Sequence, residues 1–286
     1  METLIAILFC IALQRFANAG GWFERSWFDS YLKRMHPWII KFNEFIGLGI
    51  IIVPIIMVLI VLNLVFWLRL FSLLGLILTV VVLFLSLDAR DFKYRLRSYF
   101  ASLKKGDVVA ACEEVKGLNG ENSLCEIHND SGLCRMVTQI ILRRSFAQIF
   151  PVLFWFVVFG DYGVYATAFY FALFLTQERI LAIDADCQEI KKIAGDLKNA
   201  MDWIPSRLVG FSYAFVGNFN KGFSYCRKNF IKGINEVDDF VVGAGLASLD
   251  VDNADLAENY AALNIVNRVL IVWLSVIILL IVSSIL

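Results

Sequence analysis

The chain has 286 residues, 59% of them hydrophobic, and its 26 basic side chains are balanced by 26 acidic ones. The apolar share lies above the roughly 45–50% of soluble domains, and with a mean hydropathy of +0.70 it excludes an ordinary water-soluble globule. Zero net charge gives no electrostatic basis for nucleic-acid binding, and four prolines with 18 glycines leave little material for β-architecture or flexible linkers.

Residues 1–44 read as an N-terminal embedded or interfacial segment. Leu4–Leu13 is apolar but too short to cross a bilayer, and Ala17-Asn18-Ala19 has the form of a leader-cleavage site. Glu2 rather than a Lys or Arg precedes the run, and Arg15 lies between it and Ala17, so an uncleaved interfacial helix is expected. In Gly20–Glu44, Trp22, Trp27 and Trp38 stand beside Arg25, Lys33, Arg34 and Lys41, a mixture suited to the headgroup region. His36, next to Pro37 and Trp38, is expected at the membrane surface.

Residues 45–87 read as a transmembrane hairpin. No charge occurs from 45 to 68, and after Arg69 a second uncharged run extends from Leu70 to Leu87. At about 1.5 Å per residue, roughly 20 residues cross the 30 Å hydrocarbon core. Pro54 removes one backbone donor from the first run and favours a kink.

Residues 88–144 form a polar, largely helical segment. Leu96, Tyr99, Phe100 and Leu103 recur at helical spacing, a loop is expected over Gly117–Gly132, and helix resumes at Leu133. Residues 145–177 are apolar except at Gly160-Asp161-Tyr162-Gly163. Either one long span carries a buried Asp161, which would then be a functional candidate, or these residues turn between two short spans. The paired glycines favour the turn.

Residues 178–262 form a second polar segment, amphipathic and helical over Glu178–Ala200, more aromatic over Asp202–Phe219 and acidic beyond Lys221. Residues 263–286 read as a C-terminal transmembrane helix. The fold class is therefore an all-α, polytopic membrane protein with four to five transmembrane helices, a short N-terminal embedded helix and two largely helical polar segments. With five spans, residues 14–44, 88–144 and 178–262 share the cytoplasmic side, as the positive-inside rule favours. With four, 178–262 lies outside, and its nine Lys/Arg against thirteen Asp/Glu permit this.

Motifs for catalysis are missing. There is no G-x-x-x-x-G-K-[ST] loop, no G-x-S-x-G elbow and no H-E-x-x-H pair. The six cysteines show no paired framework, and Cys125, His128 and Cys134, with Cys112 upstream, match no common zinc-finger spacing, so free thiols in a reduced compartment are expected. With His36 and His128 as its two histidines the chain offers no multi-histidine metal site, and neither a metal nor a cofactor is assigned. Gly217-Asn218-Phe-Asn-Lys-Gly222 is a weak phosphate cue that a simple turn explains better.

The sharpest constellation is Asp202-Trp203-Ile-Pro205-Ser-Arg207-Leu208. Pro205 suits a first helical turn that Asp202 caps, Trp203 suits an interface, and Arg207 suits either Asp202 or an anionic ligand. Asp202, Trp203, Pro205, Arg207 and Asn218 are the candidates for contact with a ligand or partner, against the reading of a capped interfacial helix with an Asp–Arg tie.

This segment, continued to Gly217, resembles the D-W-x-P-x-R-L stretch of the AmpE proteins, which are grouped with the CobD/CbiB family of membrane proteins. Pro151-Val-Leu-Phe-Trp-Phe with Gly160-x-x-Gly163 resembles the family's P-L-F-W…G-x-x-G stretch, and the resemblance covers essentially the whole chain. It implies a multi-pass protein of the bacterial inner membrane that modulates β-lactamase induction in response to cell-wall fragments. Its expected partners are the lipid bilayer and an unidentified ligand or protein of the cell-wall recycling pathway. The cobalamin branch of the family implies an ATP-dependent amide-forming synthase as the alternative. That branch carries E-N-x-x-D-G and N-T-x-D stretches. Here Arg143, Arg144, Ala147 and Gln148 stand in the first, and Phe171 and Phe174 stand where the second has Asn and Asp. Phenylalanine neither binds a cation nor accepts a proton, which disfavours the synthase. A remodelled site would draw on Asp88, Asp91, Asp202 and Asp239. A transporter ranks last, because Asn63 and Asp161 are the polar residues its spans would offer.

Overall fold

The computed structural model describes residues 26–39, 41–67, 72–87, 90–119, 130–184, 186–249 and 256–283. The N-terminal run with Cys10 and Arg15, Trp22, Arg25, Arg69, Asp88, Cys125 and His128 fall outside the described residues, as do the side chains of Asn63, Asp91 and Asp161. The described chain is all-α. In order the helices are α1 (Ser26–Ile39), α2 (Glu44–Trp67), α3 (Ser72–Ser86), α4 (Arg90–Lys104), α5 (Val108–Asn119), α6 (Asp130–Val158), α7 (Gly163–Arg179), α8 (Gln188–Val216), α9 (Phe219–Asn229), α10 (Val237–Ser248) and α11 (Leu256–Ser283).

Three of them, α2, α6 and α11, are long and apolar enough to cross a bilayer, which fits the membrane class. The described part of the second expected span, α3, has 15 residues, or about 22 Å, and α7 has 17. The expected boundary at residue 144 lies inside the continuous helix α6, so polar and apolar composition change along one helix there.

The chain divides into two compact units: Met1–Leu87, Val152–Asp202 and Ile281–Leu286 form the first, Asp88–Pro151 and Trp203–Leu280 the second. In the first unit α1 packs on α2, and α2 and α3 pack on α7. α1 buries Phe28, Leu32 and Ile39 along one face, while Trp38 and the cations Lys33 and Arg34 are exposed. Its ends are tied by polar contacts: Asp29 accepts from Arg179 at 2.7 Å, and His36 Nε2 meets Asp184 Oδ2 at 2.8 Å. The imidazole therefore meets a carboxylate and stays partly exposed, beside the exposed Trp38. That pairing joins residues 148 apart in sequence, which local composition cannot announce.

Pro54 cannot donate to the carbonyl of Ile50, four residues back. The Tyr31 hydroxyl donates to the next carbonyl, Ile51, at 2.8 Å and lies 3.4 Å from that of Ile50, so α1 places its one donor beside the carbonyl that the proline leaves open. An apolar cavity of about 310 Å³ opens beside it, lined by Phe28, Tyr31, Pro54, Val82, Ala168 and Leu175 among others.

Between α6 and α7 the helix breaks at the expected glycines. Gly160 has φ +52°, a left-handed value that glycine adopts without strain, and Gly160–Tyr162 forms one 3-10 turn. A Cβ on Gly163 would lie 2.2 Å from the Phe156 carbonyl oxygen, so both glycines are required by geometry.

In the second unit α4 and α5 form a helical hairpin. Gly106 (φ +76°) turns the chain, and Asp107 accepts from the Ala110 amide at 3.0 Å to start α5. Leu96 and Tyr99 are buried as their spacing predicts. α9 packs on α10, whose glycines allow close contact: a Cβ on Gly245 would meet the Leu142 side chain, and one on Gly243 the Tyr225 hydroxyl.

Gly163→Ala is expected to destabilise the protein by about 1–3 kcal/mol, because a backbone oxygen cannot move aside as a side chain can. Gly49→Ala, where nothing lies within 4 Å, is expected to be neutral or stabilising by up to about 1 kcal/mol. Thermal unfolding of the two variants in one detergent checks the contrast.

Candidate functional site

The D-W-x-P-x-R-L segment lies inside α8, a single 29-residue helix, and does not start a new one. Asp202 is accordingly not a cap. Its carboxylate accepts from Lys198, one turn earlier, at 2.6 Å, and both side chains are buried in the first unit. The Lys198 ammonium also lies 5.9 Å from the centre of the Tyr170 ring. The helix survives Pro205 for the reason that α2 survives Pro54. The Met201 carbonyl loses its helical donor and accepts instead from the Trp155 indole at 3.3 Å. A tertiary contact thus overrides the local preference for proline at a helix start.

The expected Asp202–Arg207 tie is replaced by two separate arrangements. In the second unit Arg207 is 3% exposed and all three of its nitrogens are engaged. Nε donates to the Phe230 carbonyl at 3.0 Å, Nη2 to the Lys232 carbonyl at 2.8 Å and Nη1 to Ser206 Oγ at 3.0 Å. The guanidinium stacks 4.1 Å from the Phe240 ring centre and 5.0 Å from that of Trp203. Trp203, one turn before Arg207, donates its indole N–H to the same Lys232 carbonyl at 3.2 Å. Phe230 and Lys232 follow the last turn of α9, where helical carbonyls lack internal donors and the helix dipole favours a cation. Trp203 and Arg207 are therefore a clamp on the exit of α9. Burial lowers the pKa of Arg207 from its ordinary value, with Cys226 and Glu236 acting in the opposite direction. Burial also pushes the Cys226 thiol up to about 11.

Asn218 caps α9, accepting from the Lys221 amide at 3.2 Å, and its own amide donates to Ser248 at 2.8 Å. The glycines around it serve packing: a Cβ on Gly217 would lie 2.3 Å from the Ser248 carbonyl oxygen, and one on Gly222 would strike Ser248 Oγ and Ala214. Asp161 has its backbone in the 3-10 turn before α7. Pro205 is buried. Of the six sequence candidates, Trp203 and Arg207 are brought together on one turn of chain, and Asp202 and Asn218 each serve a separate structural contact.

Two features lie beyond what sequence reasoning found. The first is a buried polar network where α6 meets α11 in the second unit. Thr138 donates to Asn259 at 2.8 Å, Asn259 donates to the Tyr99 hydroxyl at 2.9 Å, and Arg135 pairs with the buried Glu258. A signal existed in the adjacent Glu258 and Asn259 at the start of an apolar helix, where polar groups need partners. The second is an apolar surface along α8, α9 and the turn after it. Phe215 is 72% exposed and Ile231 91%, with Leu208, Phe219, Phe223 and Phe230 also exposed and Lys221, Arg227 and Lys228 among the exposed cations of α9.

Cys134, Cys187 and Cys226 are buried free thiols, as expected, whereas Cys112 is disulfide-bonded. Pairing follows spatial proximity, which spacing along the chain does not encode.

Comparison with protein families matches residues 2–286 to the regulatory signalling modulator protein AmpE. The chain belongs to the AmpE family. Comparison with curated proteins and with solved structures returns no match. In this AmpE-family chain the D-W-x-P-x-R-L stretch is thus the one that holds the Trp203–Arg207 clamp.

Arg207→Lys keeps the charge but loses the planar fork, so it is expected to cost about 2–3 kcal/mol. Hydrogen exchange of residues 230–233 is expected to rise more than that of α10. Lys198→Met leaves a buried carboxylate and is expected to cost about 3–5 kcal/mol, whereas Lys198→Met with Asp202→Leu is expected to be closer to wild type. Unfolding of the single and double variants in detergent checks this inversion.

Proposed function

We propose that the chain is a non-enzymatic regulator of the bacterial inner membrane that modulates β-lactamase induction in response to cell-wall fragments. The observation that carries this reading is the family match over essentially the full chain. The three long apolar helices support a multi-pass arrangement. The exposed aromatic surface of α8 and α9, with basic residues on α9, suits contact with lipid at the headgroup boundary.

On this reading Asp202, Trp203, Pro205, Arg207 and Asn218 act by position. They hold α8 and the turn after α9 in place, and an unidentified ligand or protein of the cell-wall recycling pathway meets the exposed residues so arranged. Ile231 and Ile234, exposed on the clamped segment, are the nearest candidates. The kinship with the CobD/CbiB family is part of this proposal, but the synthase activity of its cobalamin branch has less support. Phe171 lines the apolar cavity, Phe174 is buried, and Arg143 lies 3.5 Å from Asp238, so these positions offer no acidic ligand set.

The test is β-lactamase activity, with and without an inducing β-lactam, in a native host lacking the gene. A shifted response that wild type restores, and that Asp202→Ala with Arg207→Ala at equal membrane abundance does not, is the expected result. An unaltered response in a host with an inducible enzyme overturns the regulatory reading.

A further inference from the structure

In the first unit the last turn of α1 meets the turn between α7 and α8. His36 Nε2, an Asp184 carboxylate oxygen and Cys187 Sγ all lie within 4.8 Å of one another. They come from two segments 148 residues apart, so the fold itself brings them together. We propose that His36, Asp184 and Cys187 form a binding site for a single zinc-like divalent transition metal.

The donor set is the first argument. An imidazole nitrogen, a carboxylate oxygen and a sulfur are the three ligand types that zinc takes, at roughly 2.0–2.3 Å. Bonds of that length around a tetrahedral ion separate ligand atoms by roughly 3.3–3.7 Å. The present spacing reaches this with small side-chain rotations: the His36–Asp184 pair opens from 2.8 Å and the thiol draws in.

The second argument is the support behind the ligands. The other Asp184 oxygen accepts from the Asp186 amide at 2.9 Å, which fixes the carboxylate and leaves one oxygen for the site. The Cys187 amide closes the same turn on the Asp184 carbonyl at 3.3 Å. The third argument is access. Cys187 is buried, whereas the His36 and Asp184 side chains are 29% and 22% exposed. Three protein ligands and an open side leave a fourth position for water or an exogenous donor, the arrangement of exchangeable sites. The site is independent of the clamp on α9 and of the regulatory reading.

The test is titration of the full-length, detergent-solubilised protein, kept without air and with the Cys112 disulfide intact, with cobalt(II), followed by zinc. Wild type is expected to bind one cobalt with a thiolate-to-metal charge-transfer band that zinc abolishes. Cys187→Ser is expected to lose the band, His36→Gln to weaken cobalt binding at least about tenfold, the usual minimum cost of losing a ligand's support, and Cys226→Ser to change neither. Circular dichroism verifies that each variant is folded, and if Cys187→Ser is not, His36→Gln carries the test. Absence of the band in wild type, its persistence in folded Cys187→Ser, or unchanged affinity in folded His36→Gln overturns the proposal.

Discussion

A helix carbonyl without a donor costs several kcal/mol where water cannot reach it, and every proline in a helix interior creates one. Two helices, α2 and α8, meet this constraint in the same way. Tyr31 places its hydroxyl beside the carbonyl that Pro54 leaves open, and the Trp155 indole serves Met201 opposite Pro205. Each donor comes from a different helix, so the repair of a backbone defect is also a packing contact. Tyr31 and Trp155 thereby help decide where helices touch.

The buried charges follow a related rule. A charge out of water persists when its hydrogen-bonding capacity is met at short range. Lys198 and one oxygen of Asp202 pair within one helical turn, and Arg207 meets it with main-chain oxygens and ring faces. In the second unit the buried Glu258 meets it through one oxygen, paired with the partly exposed Arg135 of another helix. An arginine on carbonyls and rings is shut in as firmly as one on a carboxylate, without leaving an acidic partner to be titrated.

What was legible in the sequence was what is local. The uncharged run after Glu44, the helical spacing of Leu96 and Tyr99, and the glycines at 160 and 163 each carry their own structural reason. The family stretch was legible as a unit, but its inner logic was not. Pro205 has a strong local meaning at a helix start, which a single indole 46 residues from the affected carbonyl cancels. Asp202 finds Lys198 at the ordinary i, i+4 spacing of a helix, legible once the helix is known to run through Pro205, whereas Arg207 finds carbonyls that the spacing does not reveal. Gly217 and Gly222 resemble a phosphate loop because close packing and anion cradling both ask for a missing Cβ.

The two ties on α1 have a mechanical meaning. A rod fastened at one point can still roll about its axis, but α1 is fastened near both ends, by Asp29 to Arg179 and by His36 to Asp184. Its azimuth is therefore set as well as its place. Both fastenings are partly open to solvent, where the Asp29–Arg179 ion pair is weak and screened by salt. The apolar face of Phe28, Leu32 and Ile39 supplies the adhesion, and the two ties supply the direction, so a change in ionic surroundings acts on the roll of the helix before it acts on its attachment.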